Sequence, residues 1–278
     1  MSVIDWILNL ACVLLWLNWR SVRLNAIPAA PGISLLGTLR PADSRPTTRW
    51  SYLIGVLAIL FFRGLFYHQI GSAMSWMPTL ELGAVSVPFR SDRLARILSY
   101  SFLVFGVWLA GFYAWVLLLS ACNRETPDTD PIQRMVRLHL GRLEWWPASL
   151  KLLFVPLAAM LIWAGLRPAL VHLGLIPAAN SNLQFWAQSV IIGAASLVLW
   201  KYLLLGVFVL SFADTYVFLG NSPVWHFAST TARNLLRPLR LWPLRLGRID
   251  FSSITGILLV IAISEGLARA LPIIYQRL

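Results

Sequence analysis

Acidic residues are scarce in this sequence. The 278-residue chain carries 11 Asp and Glu against 23 Lys and Arg, a formal net charge of +12. Lysine is scarcer still, present only as Lys151 and Lys201, so the positive charge is almost all guanidinium. Charged residues of both signs make up 12% of the chain, where soluble domains carry about 25%. That deficit excludes a water-soluble globule: with 58% hydrophobic residues and a mean hydropathy of +0.71, too little polar surface exists to cover the rest. The two cysteines, Cys12 and Cys122, stand far apart, each in or beside an apolar stretch. No Cys or Cys/His pair has metal-ligand spacing, so we expect no zinc site and no disulfide framework. G-x-S-x-G, Walker A, H-E-x-x-H and paired-carboxylate patterns are missing, and no Ser or Asp has a base in a recognised order. We therefore expect no catalytic residues, no cofactor and no enzyme. No basic domain stands apart from the apolar segments, which argues against nucleic acid. Met1 to Asp5 holds no Lys or Arg, unlike the basic start of a signal peptide.

What is present is long apolar runs. A bilayer core of about 30 Å needs roughly 20 apolar residues in a helix. Such runs extend over about Val3–Trp19, Tyr52–Ile70, Ile97–Ala121, Ala148–Leu170, a stretch within Phe185–Leu219, and Ser253–Ile274. The expected fold is an all-α membrane protein with six transmembrane helices, none clearly broken at mid-depth. Arginine fills alternate connections: Arg20, Arg23, Arg40, Arg45 and Arg49 after the first run; Arg124, Arg134, Arg137 and Arg142 after the third; Arg233, Arg237, Arg240, Arg245 and Arg248 after the fifth. The other connections hold few. The positive-inside rule then predicts a bacterial inner (cytoplasmic) membrane protein with these three loops cytoplasmic and both termini outside. Between runs two and three, Trp76–Phe89 partly alternates, is β-branched and is bracketed by Pro78 and Pro88, which reads as a short extended piece on the outer face.

An internal repeat accompanies this pattern. Leu138-His139-Leu140-Gly141-Arg142-Leu143-Glu144-Trp145 and Leu244-Arg245-Leu246-Gly247-Arg248-Ile249-Asp250-Phe251 match at an offset of 106 residues. Each leads into an apolar run. Upstream, Asp130-Pro131 and Ser222-Pro223 both read as an N-cap followed by proline at the first helical position. The repeated unit is span, amphipathic helix, Gly-Arg-acid turn, span, in a tandem parallel arrangement. The second copy has about 14 more residues between its proline and its Gly-Arg pair. In that copy Val224, Phe227, Ala228, Thr231 and Leu235 share one helical face, while His226, Ser229, Thr230, Arg233 and Arg237 populate others. Pro238 ends the helix. Two readings of the arginines stand side by side. They are topology signals, or they dock on anionic head groups or a partner protein, each worth about 1 kcal/mol near an anionic leaflet.

The segment Asn234-Leu235-Leu236-Arg237-Pro238-Leu239-Arg240, then Gly247-Arg248-Ile249-Asp250-Phe251-Ser252 and a final apolar helix, resembles the YggT (YlmG) family of small bacterial and plastid membrane proteins. The resemblance is good over about 200–275 and degenerate over about 100–175, where no LLRP precedes Gly141-Arg142. Many members have Pro where this chain has Ser253. The resemblance implies two YggT-like modules, 97–176 and 185–278, behind a distinct membrane region 1–96. It also implies a role in membrane-complex assembly or membrane organisation, and no catalytic residue to carry over.

Charge inside an apolar span is costly and usually functional. The candidates are Arg63, Lys201, Asp214, Glu265 and Arg269. Glu265 and Arg269, four apart, are expected to pair with each other. Asp214 and Asp250 are placed to neutralise loop arginines, and Asp250 with Ser252 reads as a helix cap. His68 and His172, near the outer ends of spans two and four, could face each other as haem ligands, but single histidines at span ends are commonly interface residues. Gly106, Gly111, Gly193 and Gly256 are small enough for close helix approach. The expected function is a non-enzymatic scaffold, assembly factor or subunit of a larger membrane complex, whose partners are anionic lipid, other membrane proteins or itself. An ion or solute channel or transporter is the alternative.

Overall fold

A computed structural model describes residues 3–21, 49–74, 77–90, 93–124, 131–216, 223–237, 245–246 and 249–277. It is an all-α membrane fold. Among the described residues, six helices are long and apolar enough to cross a membrane: 3–20, 50–71, 94–122, 148–172, 182–215 and 252–277. Their outward faces are apolar, with Ile54, Leu57, Phe62, Leu153, Leu161 and Leu258 all exposed. That is the inverse of a soluble surface and suits hydrocarbon as solvent. The chain is a multi-pass membrane protein. It divides into two compact units, one formed by 1–80 with 88–109 and one by 81–87 with 110–278.

The first unit contains α1 (Val3–Ser21), α2 (Arg49–Met74) and the opening turns of α3 (Leu94–Cys122). Its apolar core is Cys12, Val13, Val56, Leu60 and Phe105. Between α2 and α3 the chain forms a β-hairpin, β1 (Thr79–Glu81) with β2 (Ser86–Pro88). The extended reading of this stretch is thus met by two paired strands. They close at the base through the Phe89 amide on the Pro78 carbonyl, 2.8 Å.

The second unit holds the rest of α3, then α4 (Pro131–Leu140), α5 (Ala148–His172), α6 (Asn182–Ala195), α7 (Lys201–Tyr216), α8 (Pro223–Leu236) and α9 (Ser252–Arg277). Both short helices begin at the prolines that the cap pattern selects. Ser181 caps α6 by accepting the Gln184 amide at 3.1 Å. Span five stays helical over its whole length, 182–215, as expected of an unbroken span. Within it, residues Ser196–Trp200 tighten to a 3-10 segment between α6 and α7, where the Ser196 hydroxyl donates to the Gly193 carbonyl at 2.6 Å. A 3-10 stretch inside a helix often marks a hinge.

Close approach occurs at Gly64, where an added Cβ would meet the Leu98 side chain at 2.5 Å, and at two of the glycines expected to be close-packed. A Cβ on Gly193 would lie 2.6 Å from the Pro156 carbonyl oxygen, where the main chain of α5 cannot retreat. A Cβ on Gly256 would lie 2.9 Å from Leu236 and 3.2 Å from Phe208. Gly106 and Gly111 have nothing within 4 Å of a built Cβ, so the close-packing role expected of them falls to the other two. Gly193→Ala should destabilise the protein by about 1–3 kcal/mol through overpacking, measured by unfolding in mixed micelles. Gly111→Ala should leave stability unchanged within error.

The two halves of the sequence repeat diverge at their shared motif. Gly141, with φ +56°, opens a 3-10 turn, Gly141–Trp145. In the second copy the matching stretch forms a two-residue antiparallel pair, β3 (Arg245–Leu246) with β4 (Ile249–Asp250), Arg245 opposite Asp250. Helix α8 ends at Leu236, short of Pro238, whereas α4 runs straight into Gly141. Asp250 therefore sits in a strand and not at the cap. Helix α9 starts at Ser252, with the Phe251 carbonyl accepting the Thr255 amide at 2.9 Å.

Candidate functional site: a cationic platform and buried charge networks

The site is built at one end of the second unit, where α3 stops. Asn123, fully buried, joins three elements there. Its amide nitrogen donates to Thr231 Oγ1 at 2.7 Å, its side-chain oxygen accepts from Asn234 at 3.1 Å, and its carbonyl accepts from Gln133 at 3.1 Å. Asn234 also donates to the Cys122 carbonyl at 3.1 Å. The end of α3 thereby gathers α4 and α8 beside each other.

Each short helix turns its apolar face into the bundle. Val136 and Leu140 of α4 pack with Ala114, Leu117 and Val155. Ala232 and Leu236 of α8 pack with Val207 and Phe208. The buried face of α8 also includes Phe227, Ala228, Ser229 and Thr231, while Val224 is exposed. The expected face is largely the buried one: Phe227, Ala228 and Thr231 are buried and Leu235 packs against the same cluster. Val224 is the exception, and Ser229 and Leu236 join the face.

The arginines that remain point outward. Arg124, Arg134, Arg142, Arg233 and Arg237 are exposed. Arg137 is half-buried and turns to Glu144, Nε to Oε1 3.5 Å. Glu144 also accepts from Ser120 and faces Lys151 Nζ at 3.4 Å. Lys151, whose side chain is 1% exposed, completes the cluster by donating to Ser120 Oγ at 2.7 Å. Pro238, Arg240, Gly247 and Arg248 lie outside the described residues. Arg245 and Asp250 are described through their main chain only. Asp214, near the end of α7, makes no ion pair among the described residues.

No protein-family model, no curated protein and no solved structure matches this chain. The geometry is therefore what speaks for function. Five exposed guanidinium groups on one surface suit phosphate or carboxylate partners, which each can hold through two parallel hydrogen bonds.

The span charges sort into three arrangements. In the first unit Arg63 is enclosed, 3% exposed. It donates to Asn9 Oδ1 at 2.7 Å, to Ser101 Oγ at 2.9 Å and to the Ser101 carbonyl. Ser101 Oγ in turn donates to the Leu60 carbonyl at 2.8 Å. Asp5 lies within Coulomb range of Arg63 and accepts from Tyr67 at 2.7 Å and Tyr100 at 3.4 Å. In the second unit Lys201 meets Glu265 at 2.6 Å. That corrects the expected Glu265–Arg269 pair: the 3-10 segment ends at Lys201 and turns its ammonium toward α9, a shorter reach than Arg269 along its own helix. Arg167 of α5, 4% exposed, stacks over the Phe185 ring at 5.4 Å.

Sequence reasoning missed Asp5, Asn9, Tyr67, Tyr100, Ser101, Lys151 and Arg167 as members of these groups. For Lys151 and Arg167 a signal was there, a cation inside the fourth apolar run. For Asn9 and Ser101 nothing short of a packed structure marks them, since small polar residues occur in spans without partners. His139 is also accounted for: its Nδ1 lies 2.9 Å from the Met135 carbonyl and its ring meets Phe112 edge-on at 5.8 Å. His68 and His172 belong to different units.

Proposed function

We propose that this protein is a non-enzymatic membrane scaffold, or subunit of a larger complex, that docks anionic lipid head groups or an acidic partner surface on the α4–α8 platform. One observation carries the reading: α4 and α8 lie together with their apolar faces inward, and five arginines leave that surface with no exposed described acid among them. By the positive-inside rule this end is cytoplasmic in a bacterial inner membrane. The platform also supports the tandem-repeat and YggT-like reading. A long, a short and a long helix occur in that order twice, as α3–α4–α5 and α6/α7–α8–α9. Trp115 Nε1 donates to the Leu199 carbonyl at 2.6 Å, and Trp200 Nε1 to the Ala114 carbonyl at 3.1 Å. Each indole thus binds the residue before the other, the pattern of two like helices about a local two-fold axis.

Native mass spectrometry of protein extracted in mild detergent tests the platform. Wild type should carry bound anionic phospholipid. The variant Arg134→Ala/Arg142→Ala/Arg233→Ala/Arg237→Ala should lose it at least about tenfold, given roughly 1 kcal/mol per arginine. Equal lipid retention by the two proteins would overturn the reading.

A second reading, solute transport, is favoured by the 3-10 turn of span five beside the Lys201–Glu265 pair. In proteoliposomes Lys201→Ala and Glu265→Ala should then abolish flux; unchanged flux would remove transport from consideration.

A further inference from the structure

The hairpin between α2 and α3 reaches into the membrane and does not lie on its surface. Its tip, Glu81–Val87, belongs to the second unit. A Cβ on Gly83, which has φ +77°, would lie 3.0 Å from Ala195 Cβ. Ala195 is the last residue of α6, 14 residues into span five. The depth of this contact follows from α5. Gly193 abuts the Pro156 carbonyl, and Pro156 stands eight residues, ~12 Å, from the platform end of α5 at 1.5 Å per residue. The reciprocal tryptophan bonds place the contact farther from the platform: Trp200 is level with Ala114, eight residues or ~12 Å before the end of α3, and Ala195 lies one five-residue 3-10 segment, ~10 Å, beyond. The hairpin enters from the opposite end, since α3 leads away from it toward α4. Its tip is therefore near mid-depth.

A two-stranded hairpin at that depth has unpaired main-chain groups on both outer edges. Hydrocarbon cannot satisfy them, so such a segment is buried in protein or faces water. One side of the tip is buried: Ala84 is 6% and Val87 0% exposed. The other side carries Glu81 and Ser86, both exposed. A carboxylate facing acyl chains would be costly, and no described residue covers it.

We infer that the Glu81–Ser86 side of the hairpin lines a water-filled vestibule, open at the end opposite the platform, that admits cations in preference to anions as far as the 3-10 turn of span five. Glu81 supplies the preference. The inference stands on the hairpin and span five alone and survives the loss of the platform reading.

Thiol labelling in lipid nanodiscs tests it, in a Cys12→Ala/Cys122→Ala background. Ser86→Cys and Glu81→Cys should react with charged methanethiosulfonates at rates within about tenfold of Asn180→Cys in the loop after α5, because only a hydrated thiol ionises. Val87→Cys should not react. Ser86→Cys should react about fivefold faster with a cationic than with an anionic reagent, the scale of one nearby charge in water, and Glu81→Gln should remove the difference. Silence at both Ser86→Cys and Glu81→Cys with Asn180→Cys reactive overturns the vestibule. Equal rates for the two reagents overturn the cation preference. Hydrogen–deuterium exchange of the unsubstituted protein gives a check independent of mutation: the amides of 81–86 should exchange far faster than those of α6, and protection equal to α6 counts against the inference.

Discussion

Arg63→Met is expected to destabilise the first unit by about 3–5 kcal/mol, the scale of taking a buried charge away from an opposite charge it attracts, here Asp5. The hydrogen bonds alone would not account for that. Side-chain hydrogen bonds between membrane helices average about 0.6 kcal/mol, because helices apart in lipid find other partners. Most of the loss is electrostatic. Asp5 is 1% exposed, attracts Arg63 through Coulomb interaction and accepts from two tyrosine hydroxyls. Without the guanidinium it loses that attraction inside the bundle. Asn9 Oδ1 and the Ser101 carbonyl lose their donor at the same moment. Methionine matches the aliphatic stem of arginine, so the effect is not a cavity effect. The double variant Arg63→Met/Asp5→Asn should recover a substantial part of the loss, which separates stranded charge from lost packing. Tryptophan fluorescence during unfolding in mixed micelles reads both. A loss below about 1 kcal/mol for Arg63→Met, the range of a solvated pair, would mean that water reaches the network.

This network also shows where sequence reading stops. Hydropathy runs fix the spans, since hydrocarbon thickness imposes one length on all of them. Proline after a capping residue fixes the starts of α4 and α8, because φ and the missing N–H at that position are local properties. Partner choice is not local. Arg63 was visible as a charge in a span, but Asn9 and Ser101 come from other helices, 54 and 38 residues away. Glu265 had an obvious local partner in Arg269 and took Lys201, 64 residues away. The helix spacing that suggests an i, i+4 pair says nothing of a competitor on a neighbouring helix. Ser229 on the buried face of α8 was likewise not legible from helical spacing alone. The 3-10 segment of span five leaves no mark in the hydropathy, because it keeps the span helical.

Glu144→Leu should destabilise the second unit by about 3–5 kcal/mol as well, and here stability bears on the platform itself. Glu144 sits in the 3-10 turn between α4 and α5 and is the acid that Lys151 and Arg137 share. Lys151 cannot snorkel: its side chain is 1% exposed, and its ammonium ends on Ser120 at 2.7 Å. With the carboxylate gone, that hydroxyl is the ammonium's one remaining partner among the contacts described, and a neutral oxygen does not balance a buried cation. Lys151→Met in the same chain should restore most of the loss, because the apolar replacement removes the charge that was stranded. Ser120→Ala, which removes a bridge and strands no charge, should cost about 1 kcal/mol. Lipid binding reads the functional consequence. Arg137 turns to Glu144, so Glu144→Leu/Lys151→Met removes that ion pair from a sixth guanidinium on α4, beside Arg134. If α4 keeps its place against Val155 and Leu117, this stable double variant should bind anionic phospholipid more tightly than wild type, by about fivefold for one added arginine. Weaker binding would show that Glu144 is needed to hold α4 in position, and that the platform depends on this carboxylate more than on the number of arginines it displays.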